Sequence, residues 1–111
     1  MGRSMAHKAE KVYDVKVAPT AYHNLNSHFY FLARVSELAA EHLKKVLLKD
    51  IRSLEKIPER NPPYERRGIP PGKYRYMLSA HRYRIVYYIT GNIVRVNGIE
   101  DCRMENVSEF H

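Results

Sequence analysis

Tyr83-Arg84-Ile85-Val86-Tyr87-Tyr88-Ile89 is a run of β-branched and aromatic residues with one arginine in its first half, closed by the turn signal Gly91-Asn92. A strand apolar at nearly every position is usually central in its sheet, so Arg84 is the residue that needs an explanation. On either side the pattern supplies two more strands, over residues 72–79 and 93–102, which makes a three-stranded meander. A two-residue turn with glycine first pairs Thr90 with Ile93, Tyr88 with Arg95, Val86 with Asn97 and Arg84 with Ile99. For the first hairpin, a loop of Ala80-His81 or of residues 79–82 pairs Leu78 with Tyr83 in both versions.

That parity sorts the side chains. Tyr74, Tyr76, Leu78, Tyr83, Ile85, Tyr87, Ile89, Val94 and Val96 are expected on the core face. Arg75, Met77, Arg84, Val86, Tyr88, Arg95, Asn97 and, with a regular last strand, Arg103 are expected on the other. Unpaired guanidinium groups are very costly to bury, so this second face is expected to meet water or an anionic partner.

Upstream, Val12 to Val17 alternates as a half-buried strand. Pro19 suits a first helical turn, and Tyr22, Leu25, Phe29 and Leu32 share one face of a helix over residues 19–34. Ser36 can cap a second helix with Glu37 in its first turn, whose stripe is Leu43, Leu47, Ile51 and Leu54 and which ends before Pro58. Residues 57–72 hold five of the six prolines, which marks a long stiffened loop beside the sheet. Residues 1–10 lack apolar periodicity and are read as a disordered segment outside one domain spanning 11–111. A chain of 111 residues has room for one core.

The net charge of +7 is concentrated: residues 60–84 hold seven basic side chains against Glu65 alone. Clustered charge of one sign points to a polyanion, and Arg66, Arg67, Lys73, Arg82 and Arg95 are candidates for binding nucleic acid or an acidic protein segment. The single Cys102 fits a reducing compartment, and no apolar run reaches membrane-spanning length, so a cytoplasmic protein without membrane contact is expected. Histidines 7, 23, 28, 42 and 111 show no metal-ligand spacing with Cys102, and no phosphate-cradling glycine loop occurs; no metal or cofactor is expected.

The order strand, helix, helix, Pro-rich loop, meander, with Gly72-Lys73-Tyr74-Arg75, Tyr83-Arg84-Ile85-Val86-Tyr87 and Ile99-Glu100-Asp101-Cys102-Arg103, resembles the RelE/ParE superfamily of type II toxins. The resemblance covers residues 11–110. It implies an α+β fold, two N-terminal helices on one face of a small antiparallel sheet in the order β-α-α-β-β-β. It also implies a cognate antitoxin that covers the working surface, within a homodimer or a toxin–antitoxin hetero-oligomer. RelE-like members cleave messenger RNA in the ribosome by attack of a ribose 2′-hydroxyl on the adjacent phosphate, which needs proton transfer and stabilisation of phosphate charge. In that pattern Arg84, Arg103 and Arg75 match the phosphate-holding positions. A second basic position falls on Met77, and a late tyrosine falls nearest to Phe110, leaving proton transfer to Tyr88 or His81. ParE-like members instead poison DNA gyrase without chemistry of their own. The residues are read as a ribosome-dependent mRNA endoribonuclease, with gyrase inhibition as the alternative and a non-catalytic RNA- or protein-binding module as a third reading.

Overall fold

The computed structural model describes residues 11–103, and the order of elements is the expected one: β1 (Asp14–Val17), α1 (Pro19–Ala33), α2 (Glu37–Ser53), β2 (Tyr74–Ser79), β3 (Tyr83–Thr90) and β4 (Ile93–Asp101). The strands lie in the order β1-β4-β3-β2. The meander β2-β3-β4 is antiparallel, while β1 adds to β4 in parallel, so the four-stranded sheet is mixed. The two helices pack on one face. Residues 1–10, with His7, and residues 104–111, with Phe110 and His111, lie outside the described residues.

The second helix follows its sequence closely. Ser36 is its N-cap, its hydroxyl accepting from the Ala39 amide at 3.1 Å, and Leu43, Leu47, Ile51 and Leu54 are all buried. The first helix is turned slightly from its expected phase. Ala21 is fully buried where Tyr22 was expected, and Tyr22 is exposed. Ala21, Leu25, Phe29 and Leu32 form the stripe against the core at spacings of four, four and three; the bulkier Tyr22 misled because volume is not phase.

The sheet departs from expectation at two places, and both shift side chains between faces. The β2–β3 connection is a three-residue loop, Ala80-His81-Arg82, that pairs Ser79 with Tyr83 and Leu78 with Arg84. The expected pairing of Leu78 with Tyr83 is therefore corrected by one residue, and every side chain of β2 changes face. Met77 and Arg75 lie on the helix side, level with Ile85 and Tyr87, while Tyr74, Tyr76 and Leu78 lie on the outer side with Tyr88, Val86 and Arg84. Ala80 and His81 take φ of 52° and 69°, a left-handed path that L-residues adopt at a cost, and neither position signals it in the sequence.

The second departure is a β-bulge in β4. Gly91 takes φ of 62° and the turn sets Thr90 against Ile93 and Tyr88 against Arg95 as expected, but Tyr87 then pairs with Val96 and Val86 with Gly98. Asn97 is the extra residue. The expected pairs Val86 with Asn97 and Arg84 with Ile99 are replaced by Val86 with Gly98 and Arg84 with Glu100, and Ile99 turns into the core at 2% exposure. A polar line along α1 holds the bulge. Thr20 Oγ1 donates to the Asn97 carbonyl at 3.0 Å, Asn24 Oδ1 accepts from the Ile99 amide at 3.1 Å, and His28 Nε2 lies 2.9 Å from the Ile99 carbonyl, to which it donates. Positions 20, 24 and 28 fall one helical turn apart, so one face of α1 satisfies backbone groups of β4 beyond Val96, where β1 has ended and no strand pairs that edge. Gly98 fits beneath this line, since a Cβ there would meet Asn24 Oδ1 at 3.3 Å.

The Pro-rich loop is fastened from both sides. Its segment 62–64 runs along the free edge of β2: the Tyr64 amide donates to the Tyr74 carbonyl at 2.8 Å, and the Tyr76 amide donates to the Pro62 carbonyl at 3.1 Å. On the helix side, Arg75 Nη1 donates to the carbonyls of Glu59 and Asn61, and the buried Tyr87 hydroxyl donates to the Pro58 carbonyl while accepting from Asn61 Nδ2 at 2.9 Å. Prolines remove donors, so the loop's carbonyls are satisfied by side chains of the sheet.

Tyr13 extends this fastening to β1, its hydroxyl donating to Glu59 Oε2. That bond holds the Glu59 carboxyl below its ordinary value of 4.5 and pushes the Tyr13 hydroxyl above 10.0. A depressed carboxyl contributes stability that is present above its ordinary pKa and lost as pH falls through the folded value; a raised phenol contributes stability that is lost as pH rises through its folded value. Tyr13→Phe is therefore expected to lower the urea midpoint at neutral pH. The gap to the parent protein should narrow in acid below the ordinary carboxylate value, and a gap unchanged on acidification would show that Glu59 is not the partner.

Candidate functional site

Among the described residues neither α1 nor α2 covers the outer face of the sheet, and its side chains fall into rows across the strands. The row centred on Arg84 contains Leu78, Arg84 and Glu100. Arg84 Nε stands 3.5 Å from Glu100 Oε1, and the Tyr64 hydroxyl donates to Glu100 Oε2 at 2.7 Å. The guanidinium carbon lies 5.8 Å from the Tyr64 ring centre and 5.7 Å from that of Tyr76. Tyr64 is only 5% exposed, so the Pro-rich loop closes over this side of the sheet and its ring covers Arg84. Burial, and then the bond to Glu100, push the Tyr64 hydroxyl well above the usual phenol range, which keeps it a donor. Arg84 thus has a counter-ion and aromatic faces within its own fold, which corrects the expectation that it meets water or a partner directly.

The other expected site residues are dispersed. Arg75 points to the helix side and is spent on loop carbonyls, so the sheet itself separates it from Arg84. Tyr88 shares the outer face with Arg84 but stands four residues away, about 13 Å along the strand. His81 is exposed at the hairpin tip, where it borders a cleft lined by His42, Asp50 and Ser79 on the helix side. Arg103 is exposed and turned to Asp101: its amide donates to Asp101 Oδ1 at 3.0 Å and its Nε stands 3.8 Å from the same oxygen. Arg82 reaches that carboxylate from the other side at 3.9 Å and donates to the Tyr83 hydroxyl at 3.1 Å. The expected common surface of Arg75, Arg84, Arg95 and Arg103 is therefore reduced to Arg84 and Arg95, because the three-residue loop moves Arg75 and β4 ends at Asp101, leaving Arg103 in helical backbone beyond the sheet.

One row in from the β3–β4 turn, the side chains are assembled in register, with Lys16 beside Arg95, Arg95 beside Tyr88 and Tyr88 beside Tyr74. Lys73 Nζ lies 4.9 Å from the Tyr88 ring centre and 5.3 Å from that of Tyr74, and Arg66 stands 5.2 Å over Tyr64. Arg67, Lys73 and Arg95 are exposed. Neither Tyr64 nor Glu100 was singled out by sequence reasoning. The signal that could have found them is a tyrosine directly after two prolines beside a sheet with an arginine, and an acid one residue past the expected partner of that arginine.

On the far side of the molecule, the end of the helical hairpin exposes Tyr30, Phe31, Val35 and Leu38, each at least 64% exposed. Beside them, Phe29, Ala33 and Ala40 line a cleft between α1 and α2. Cys102 is half-buried and free. Among the described residues no group of three His, Cys, Asp or Glu side chains could hold a metal, and no helix is long and apolar enough to cross a membrane.

No curated protein sequence matches the chain significantly. Among solved structures, the chromosomal ParDE TA system from P. aeruginosa contains a chain of similar fold, with a TM-score of 0.66 at 10% identity, covering 81% of this chain and 96% of that one. The profile of the ParE toxin of type II toxin–antitoxin system, parDE, matches residues 15–105, nearly all of the folded domain. The chain therefore belongs to the ParE toxin family of type II toxin–antitoxin systems, and that membership implies a cognate antitoxin as its partner.

Proposed function

We propose that this toxin acts by binding and poisoning DNA gyrase, and that it does not cut messenger RNA. The observation that carries this reading is the Arg84–Glu100 pair beneath Tyr64: the arginine that would hold a scissile phosphate already has a carboxylate at 3.5 Å and an aromatic cover. Phosphate would have to displace both. The groups that would move protons, Tyr88 and His81, stand apart from Arg84, and Arg75 is on the opposite side of the sheet. Positioning within hydrogen-bond reach is the first requirement of general acid–base catalysis, and these groups do not meet it. Membership of the ParE family points the same way. The neutralising antitoxin is assigned the exposed apolar hairpin end around Tyr30, Phe31, Val35 and Leu38, with acidic segments reaching the basic stretch that includes Arg66 and Arg67.

The test is expression of the chain without an antitoxin, with transcripts, plasmid topology and gyrase-linked DNA breaks followed in one culture. Growth arrest with intact transcripts and gyrase-linked breaks is the expected result. Codon-phased mRNA cuts that disappear in Arg84→Lys would overturn it in favour of the nuclease.

A further inference from the structure

We infer that the cross-strand row Lys16–Arg95–Tyr88–Tyr74, with Lys73 above it, is a binding surface for single-stranded nucleic acid, which goes beyond the proposed action on gyrase. The row is straight because the register is: Lys16 pairs with Arg95, Arg95 with Tyr88 and Tyr88 with Tyr74, and these cross-strand partners share the face opposite α1 and α2. Three strand spacings make it about 14 Å long, the length of about four nucleotides at stacked spacing. Cations stand at one end, and the two aromatic rings at the other, 5.3 Å apart and edge to face, with the Lys73 amine near both. Beyond β2 the Tyr64 amide joins the Tyr74 carbonyl, which brings Arg66 alongside.

Single strands are held by this combination, a basic track for phosphates beside rings on which bases stack. An acidic peptide would use the cations but has no need of the tyrosines, and at the tyrosine end of the row the β2 edge is already occupied by residues 62–64, so strand addition on that side is closed. Two strand acids share this face, Glu100 and Asp14, and Glu100 is engaged by Arg84 and Tyr64 two rows away. Asp14 stands 3.4 Å from Lys16, but both are more than half exposed, and such a pair is weak enough to yield to phosphate.

The experiment uses the full chain and labelled single-stranded DNA and RNA of about 12 nucleotides, with fluorescence anisotropy at low and moderate salt. Saturable binding to either strand is expected, tighter than to a duplex of the same length. Arg95→Ala and Lys73→Ala should each weaken it about fivefold or more and lower the salt slope by about one. Tyr88→Ala should weaken it by a similar factor at unchanged salt slope. Lys45→Ala, on the exposed side of α2, should stay within about twofold. Thermal melts show that each variant is folded, and the exposed Arg95 supplies the variant least able to disturb the core. Relative affinity for DNA and RNA identifies the source of the strand. Equal loss in Lys45→Ala and Arg95→Ala, binding of a poly-glutamate peptide but of neither oligonucleotide, or no saturable binding would each overturn the inference. None of these results touches the gyrase reading, because the assay contains no gyrase.

Discussion

Tyr87→Ala is expected to cost about 4 kcal/mol, enough to consume much of the 5–15 kcal/mol by which a domain of this kind is stable. Tyr87 is fully buried at the centre of β3 in the core that includes Ile85, Val94 and Val96. Deleting its ring leaves a cavity among close-packed neighbours, and truncations of large aromatic side chains in cores cost about 3–5 kcal/mol. The hydroxyl has separate work. It donates to the Pro58 carbonyl and accepts from Asn61, and burial pushes its pKa upward, so it remains a donor. Tyr87→Phe keeps the ring and loses both bonds; with the Pro58 carbonyl left buried, a loss of about 1–2 kcal/mol is expected. The two variants should also differ in kind. Tyr87→Phe should raise amide exchange in residues 57–64 selectively, while Tyr87→Ala should lower protection across the sheet. Urea melts with residue-resolved hydrogen exchange make the comparison, and equal losses in the two variants would mean that the hydroxyl, not the ring, carries the anchor.

The structure is legible in the sequence where one local signal decides one local structure. The Ser36 cap, the stripe of α2, the prolines of residues 57–72 and the Gly91-Asn92 turn each act through their own backbone or face, and each appears in the structure as expected. The faces of the sheet are different, because parity depends on counting across a loop. Ala80-His81-Arg82 offers no glycine or asparagine to mark its left-handed residues, and a loop of odd length reverses every side chain of β2. The bulge at Asn97 was hidden for another reason: what stabilises it is Thr20, Asn24 and His28, some 70 residues earlier in the chain. Those two shifts account for the candidate site. They send Arg75 to the loop carbonyls, place Glu100 beside Arg84, and leave Arg95, Tyr88 and Tyr74 in a row. Arg84 was legible as the anomalous residue of its strand. Its partner was not, since a regular register puts Ile99 in the place that Glu100 occupies.

Glu100→Gln tests whether that partner stabilises the fold and whether Arg84 works on a target. The substitution preserves shape and leaves an amide oxygen to accept from Tyr64, but it removes the charge opposite Arg84, whose side chain is 19% exposed. Breaking a fully buried pair costs about 3–5 kcal/mol, and breaking an exposed one costs about 0–1 kcal/mol. With Glu100 itself 36% exposed, a loss of about 2 kcal/mol is expected, a fall in Tm of about 10 °C for a domain of this size. Arg84→Met should cost a similar amount, through lost stacking on Tyr64 and Tyr76 and the carboxylate left behind. The double variant Arg84→Met with Glu100→Gln leaves neither charge and keeps the acceptor for Tyr64, so it should lie within about 1 kcal/mol of the parent. A double-mutant cycle with additive losses would instead mean that the two residues are neighbours without being partners. The same double variant separates structure from action. If Arg84 is part of the scaffold, the refolded double variant still arrests growth at a level matched to its stability. If it folds and melts like the parent but no longer arrests growth, Arg84 belongs to the working surface, and the cover supplied by Tyr64 must open when the toxin meets its target.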